Sequence, residues 1–140
     1  MPIFRHDLTV PNNAIDDNGH VNNVVYVQWM QDVATLHSNA VGLTRKAYEK
    51  NGSAWIVRSH HVDYRSPAFE GDEIEAITWI SDFKKVTSRR KYKFVRKGDQ
   101  KLLASAETNW VYINMADNRP RSLDKLVTEA FTPIAPEDEP

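Results

Sequence analysis

Residues 23 to 41, NVVYVQWMQDVATLHSNAV, do most to limit what this chain can become. Apolar or aromatic side chains stand at 24, 25, 26, 27, 29, 30, 33, 34, 36, 40 and 41, and polar ones at 28, 31, 32, 35 and 39. The polar positions follow the i, i+3, i+4, i+7, i+11 series, which draws one narrow stripe along an otherwise apolar helix. Most sides of such a helix must be covered, and Gly42 is a natural stop for it. The rest of the chain has to supply a surface that wraps around it.

The sequence predicts that this surface is a sheet. Ile3 to Val10 reads as a strand ended by the turn residues Pro11-Asn12-Asn13. Residues 44 to 51 suit a short second helix. Four strands follow: Ala54 to Ser66, Glu73 to Ser81, Val86 to Arg96 and Lys101 to Asn114, separated by Pro67, Gly71-Asp72, Gly98-Asp99 and Asp117-Asn118. Connections this short make antiparallel hairpins. A last helix is expected over Ser122 to Phe131 with Ser122 as its cap, and the acidic, proline-containing residues 133 to 140 read as a disordered tail. The expectation is one α+β domain over residues 1 to 132, a five-stranded antiparallel sheet curled around a long helix. Its unpaired sheet edges favour a homodimer, or a homotetramer built of such dimers.

Composition removes several classes of function. Eighteen basic against nineteen acidic residues give a formal net charge of −1, which offers no general attraction to nucleic acid or to an anionic membrane. The absence of cysteine excludes disulfides, thiolate metal sites and cysteine nucleophiles. No run of about 20 apolar residues could span a bilayer, and MPIFRHDLTV lacks the apolar run of a signal peptide, so a cytoplasmic protein is expected. No metal site is expected either: His60 and His61 are adjacent on a strand and face opposite ways, and the remaining histidines are scattered.

The chemistry concentrates just ahead of the helix, in AIDDNGHVNN. A carboxylate, an amide and an imidazole (Asp16, Asn18 and His20) stand upstream of backbone N–H groups that a helix start leaves unpaired. Serine-hydrolase, P-loop, dinucleotide and zinc-protease motifs are all missing. A carboxylate beside a helix N-terminus suits acyl transfer, because the N–H groups and dipole stabilise a developing oxyanion by about 2.7–4 kcal/mol per well-placed donor. Other uses stay open for these residues. Asp16 and Asp17 can form Asx turns, Asn22 is an ordinary N-cap, and Gly19 suits a positive φ. Tyr26, Trp29 and Met30 suit the core, and His60, Val62 and Tyr64 suit cross-strand packing on one face.

The stretch DDNGHVNNVVYVQW, residues 16 to 29, resembles the signature of hotdog-fold thioesterases. It is similar to the 4-hydroxybenzoyl-CoA thioesterase group and, in its Asn-x-His-Val-Asn-Asn core, to plant acyl-ACP thioesterases. The resemblance runs over roughly residues 4 to 131 and takes in YRSPAFEGDEIEAITWI. It implies a dimer with the active site between subunits, no cofactor, and an acyl-CoA or acyl-carrier-protein thioester as substrate. The 4-hydroxybenzoyl-CoA group implies Asp16 as the catalytic carboxylate and the Asn23 N–H as the group that polarises the thioester carbonyl, whereas the plant pattern implies Asn18 and His20 in catalysis. This chain carries both sets, and Asp16 is taken first, with Asn18 and His20 orienting it or the water.

The basic run KKVTSRRKYKFVRK, residues 84 to 97, is read first as a solvated strand face. The resemblance adds Ser88, Arg89 and Arg90 as candidates for the CoA phosphates. Two other functions compete with hydrolysis. Hotdog hydratases carry a pattern like D-x-N-P-x-H, from which this chain departs because Gly19 replaces the proline and Asn18 lies only two residues from His20. A non-catalytic acyl-thioester binder would have no use for Asp16.

Overall fold

Five strands, β1 (Ile3–Thr9), β2 (Ser53–Tyr64), β3 (Glu73–Phe83), β4 (Thr87–Arg96) and β5 (Lys101–Asn114), form one antiparallel sheet in the order β1-β3-β4-β5-β2. The computed structural model describes all 140 residues. Helix α1 (Asn23–Ala40) lies along the inner face of the sheet, and α2 (Arg45–Asn51) leads into β2. This is the hotdog arrangement that the sequence predicts.

The sheet curls because its ladders are interrupted. The register slips at an extra residue between Val57 and Ser59 in β2, between Ile80 and Asp82 in β3, and between Leu102 and Ala104 in β5, opposite Val95 and Phe94. Each extra residue bends its strand and raises the local twist, so the sheet closes around the helix. Tyr26, Trp29, Met30, Val33 and Ala34 of α1 pack on Ile74, Ala76, Tyr92, Phe94, Leu103, Ala104 and Ala106. A fully buried side chain such as Met30 or Phe94 contributes about 1.5–3 kcal/mol by leaving water. The polar stripe holds, with Gln28, Asp32, Thr35 and Asn39 exposed.

Two expectations at the C-terminal end need correction. The last helix is the four-residue α3 (Lys125–Thr128), and Ser122 does not cap it. Asp124 stands at the cap position without capping, because its carboxylate accepts from Asn51, the Tyr112 hydroxyl and Arg121 instead. The acidic tail, expected to be disordered, lies along the outer face of the sheet. Ile134 N–H donates to the Ile80 carbonyl at 2.8 Å, and Glu139 accepts from Trp79 Nε1 at 2.8 Å and Lys91 Nζ at 3.1 Å. Lys93 donates to Pro140 beside it. The outward lysines of β4 supply the opposite charge to an acidic segment, and the tail shelters Trp79.

Candidate active site

The loop ahead of α1 is a closed turn anchored on both sides. The Asp16 N–H donates to the His20 carbonyl at 2.8 Å, and the Gly19 N–H donates back to the Asp16 carbonyl at 3.0 Å. Gly19 takes φ +81°, a conformation that side chains with a Cβ rarely adopt. Outside the turn, Val21 N–H donates to the Ala68 carbonyl and Asn22 N–H to the Ala14 carbonyl, which pins the helix start to the loop between β2 and β3 and to the short turn after β1.

Asp16 serves the turn and keeps a free oxygen. Its Oδ1 accepts the backbone N–H groups of Asn18 at 2.9 Å and His20 at 3.3 Å. Its Oδ2 makes no hydrogen bond within the protein, and the residue is only partly exposed. Asn18 and His20 therefore orient Asp16 through their main chain, while their side chains stay exposed. The His20 ring rests edge-on against Phe69, with centroids 5.4 Å apart. Asp17 is exposed.

At the helix start Asn22 caps as expected, its side chain accepting the Val24 N–H at 3.0 Å. Val25 N–H donates to the Asn22 carbonyl, which leaves the Asn23 N–H without an acceptor in the protein. An unpaired donor at the positive end of an 18-residue helix is available to a negatively charged oxygen. The Tyr64 hydroxyl donates to the Asn23 carbonyl at 2.9 Å and ties the end of β2 to this point. His60 Nδ1 bonds Thr108 Oγ1 at 2.8 Å, whereas His61 lies beside Asp63, so the two histidines do face apart.

The β4 candidates divide between two faces. Arg89 lies on the outer face, 4.0 Å from Asp82. Ser88 and Arg90 face inward, 3% and 4% exposed, and line a cavity of about 350 Å³ near the C-terminal end of α1. The three side chains cannot meet on one phosphate. Arg90 Nη1 donates to His37 Nδ1 at 2.9 Å and Thr78 Oγ1 at 3.1 Å, and the guanidinium lies over Phe131. His37 Nε2 bonds the Met1 carbonyl, so the ring is a neutral tautomer that donates through Nε2 and accepts at Nδ1. Burial first, and then the Arg90 charge, hold the His37 pKa down at about 4.

The sequence reading overlooked His37, and the signal was present. His37 extends the Met30, Val33, Ala34 series on the covered face of α1, and Ser88, Arg90, Tyr92 and Phe94 alternate along β4 with the outward Arg89, Lys91 and Lys93.

The chain belongs to the thioesterase-like superfamily, whose family model matches residues 10–131. Its fold is similar to that of the 1,4-dihydroxy-2-naphthoyl-CoA thioesterase from Synechocystis, with TM-score 0.84 and 19% identity over 91% of this chain and 94% of that one. A Staphylococcus aureus protein in complex with CoA gives TM-score 0.85 and 22% identity, over 91% and 80% of the two chains. An acyl-ACP thioesterase from Bacteroides thetaiotaomicron gives TM-score 0.84 and 17% identity; this chain is covered over 99% of its length and spans 57% of that larger protein. No curated protein matches the sequence.

Proposed function

We propose that the protein hydrolyses an acyl thioester of CoA or of an acyl carrier protein to a free acid and a thiol. The observation that carries this reading is Asp16, whose Oδ1 is held by two backbone N–H groups while Oδ2 is left unpartnered at the mouth of α1. Membership of the thioesterase-like superfamily supports it.

In the proposed reaction, the thioester oxygen lies against the Asn23 N–H, which stabilises the negative charge that develops when the carbonyl is attacked. Asp16 Oδ2 acts in one of two ways. As a base it takes a proton from water, whose oxygen adds to the acyl carbon; the C–S bond then breaks and the thiolate takes up the proton. As a nucleophile it adds to the acyl carbon and the C–S bond breaks to expel the thiolate, leaving a mixed anhydride. Water then opens this to the free acid and the regenerated carboxylate, and the proton released goes to the thiolate. Both routes use the same oxygen. Asn18 and His20 hold Asp16 through their main chain, and their exposed side chains border the attacking water. Of the residues considered for the CoA phosphates, Arg89 keeps that assignment, since it retains the solvent access a hydrated phosphate needs.

The site is proposed to be completed in a homodimer. β2 pairs only with β5, so its other edge is open, with Ile56 and Tyr64 exposed along the strand. Two copies related by a two-fold axis across this edge pair antiparallel, which sets the Tyr64–Asn23 end of one protomer against the Ser53–Trp55 end of its partner.

Thiol release from short, long and aromatic acyl-CoAs and from acyl carrier proteins, with wild type and Asp16→Asn compared, tests the reading. Turnover that collapses in a folded Asp16→Asn protein supports it. Release from no ester, or hydration of an enoyl-CoA in place of release, would overturn it.

A further inference from the structure

The cavity near the C-terminal end of α1 contains an arginine with no counter-charge. No carboxylate bonds Arg90, and the nearest polar groups are neutral: His37 as assigned above, Thr78, and the hydroxyls of Tyr48 and Tyr92. Glu49 also lines the cavity, but it is paired with Arg45 at 3.0 Å in a solvent-exposed salt bridge. Burying a charge without a partner is costly, and proteins ordinarily supply an opposite charge. The protein holds Arg90 through Nη1 alone, so the Nε–Nη2 edge has no protein partner. Ser88 Oγ, on the same face of β4, is also buried without a hydrogen-bond partner. Both residues line a space whose other walls are mainly apolar, among them Leu43, Trp55, Ile80, Phe83 and Trp110. Two unpartnered, buried polar groups lining a mainly apolar cavity form a built site.

The geometry points to a carboxylate in this cavity, carried at the far end of the substrate's acyl chain: an ω-carboxyacyl thioester. The free edge of Arg90 is the one that grips a carboxylate with two parallel hydrogen bonds, and Ser88 adds a third donor. A single negative charge balances the single positive one, whereas a phosphate dianion would leave excess charge among apolar walls. The volume, about 350 Å³, falls in the range of small-molecule sites.

The assignment rests on the proposed thioesterase reading and its dimer. Within one protomer, Asp16 and the cavity lie toward opposite ends of α1, an 18-residue helix about 27 Å long. Antiparallel pairing of the β2 edges changes the relation. Asp16 stands near the Tyr64 end of β2, and Ser53, Ala54 and Trp55 at the other end of β2 line the cavity. The thioester held at Asp16 of one protomer can therefore send its acyl chain toward the cavity of the other. The apolar walls take the methylene chain, and Arg90 and Ser88 take the terminal carboxylate.

The test compares thiol release from paired CoA esters of equal length, hexanoyl against adipoyl and octanoyl against suberoyl. Wild type is expected to favour the ω-carboxy member at least tenfold in kcat/KM. Ser88→Ala should lower that preference several-fold, and Arg90→Met should abolish or reverse it. Arg90→Lys, which keeps the charge without the fork, should fall between. Circular dichroism establishes that each variant is folded, and if Arg90→Met does not fold, Ser88→Ala and Arg90→Lys carry the comparison. Equal rates on both members in wild type, or a preference unchanged in the folded variants, would overturn the proposal. If no ester releases thiol, the thioesterase reading fails on its own terms. Calorimetry with adipate then decides the cavity: binding lost in the Ser88 or Arg90 variants keeps the carboxylate site, and no binding removes it.

Discussion

At the N-terminal end of α1, Asp16 is held by Asn18 and His20, two and four positions away in the chain. At the other end, Arg90 is held by His37 and Thr78, 53 and 12 positions away, and His37 in turn reaches Met1 across 36. The first constellation belongs to one turn and stands partly in solvent. The second is assembled by the tertiary fold and is buried. Chemistry on the local turn should change with little effect on folding, whereas any change in the distant network disturbs several elements at once.

Asp16→Asn tests this separation most sharply. The amide oxygen can still accept the Asn18 and His20 N–H groups, so the turn survives while the free carboxylate oxygen is lost. Activity should fall about 10²- to 10⁴-fold, and the free energy of unfolding should shift by less than about 0.5 kcal/mol. Kinetics and urea unfolding on the same preparation check both halves, and a large loss of stability would end the contrast.

His37 supplies the counterpart at the buried end. Its folded pKa of about 4 lies below the ordinary histidine value of 6.5, so an unfolded chain binds the proton more readily. The contribution of neutral His37 is complete above pH 6.5 and is lost as the pH falls toward 4, an effect of about 3 kcal/mol. His37→Gln does not titrate. Its stability deficit relative to wild type should therefore narrow by about that amount between pH 7 and pH 4 in urea melts, and a gap independent of pH would contradict the assignment.

Smaller effects refine the local end. Asn22→Ala removes the cap on Val24 and should cost about 1 kcal/mol, read as a shift in the urea midpoint. Tyr26→Phe should cost nothing in a thermal melt and could raise the midpoint. The Tyr26 hydroxyl is buried without a partner, its pKa pushed up to about 12 mainly by that burial, so its removal relieves an unpaid desolvation.

Much of this was legible in the residues. The narrow polar stripe of α1 called for a wrapping sheet, and the turn residues placed the β3–β4 and β4–β5 hairpins within two or three positions of where they lie. By contrast β2, joined to β3 by the short link through Pro67, makes no hairpin with it and pairs with β5 instead. Asn22 as cap and Gly19 at positive φ followed from local chemistry alone. The composition of the tail favours disorder, and what orders it, contact with Trp79, Ile80, Lys91 and Lys93 about fifty residues upstream, is invisible to a local reading. Arg90 belongs to a basic run in the sequence, yet period-two alternation sets it on the other face from Arg89 and Lys91.

The sequence by itself determined the long helix, the five strands and the turn that holds Asp16, since periodicity, capping and turn chemistry act over a few residues. Only the tertiary structure decided which side of β4 closes over a cavity, that His37 meets Arg90 there, and that no carboxylate joins them. Those facts depend on strand register and on the curl of the sheet, which bring residues as far apart as Met1 and Phe131 around a single buried charge.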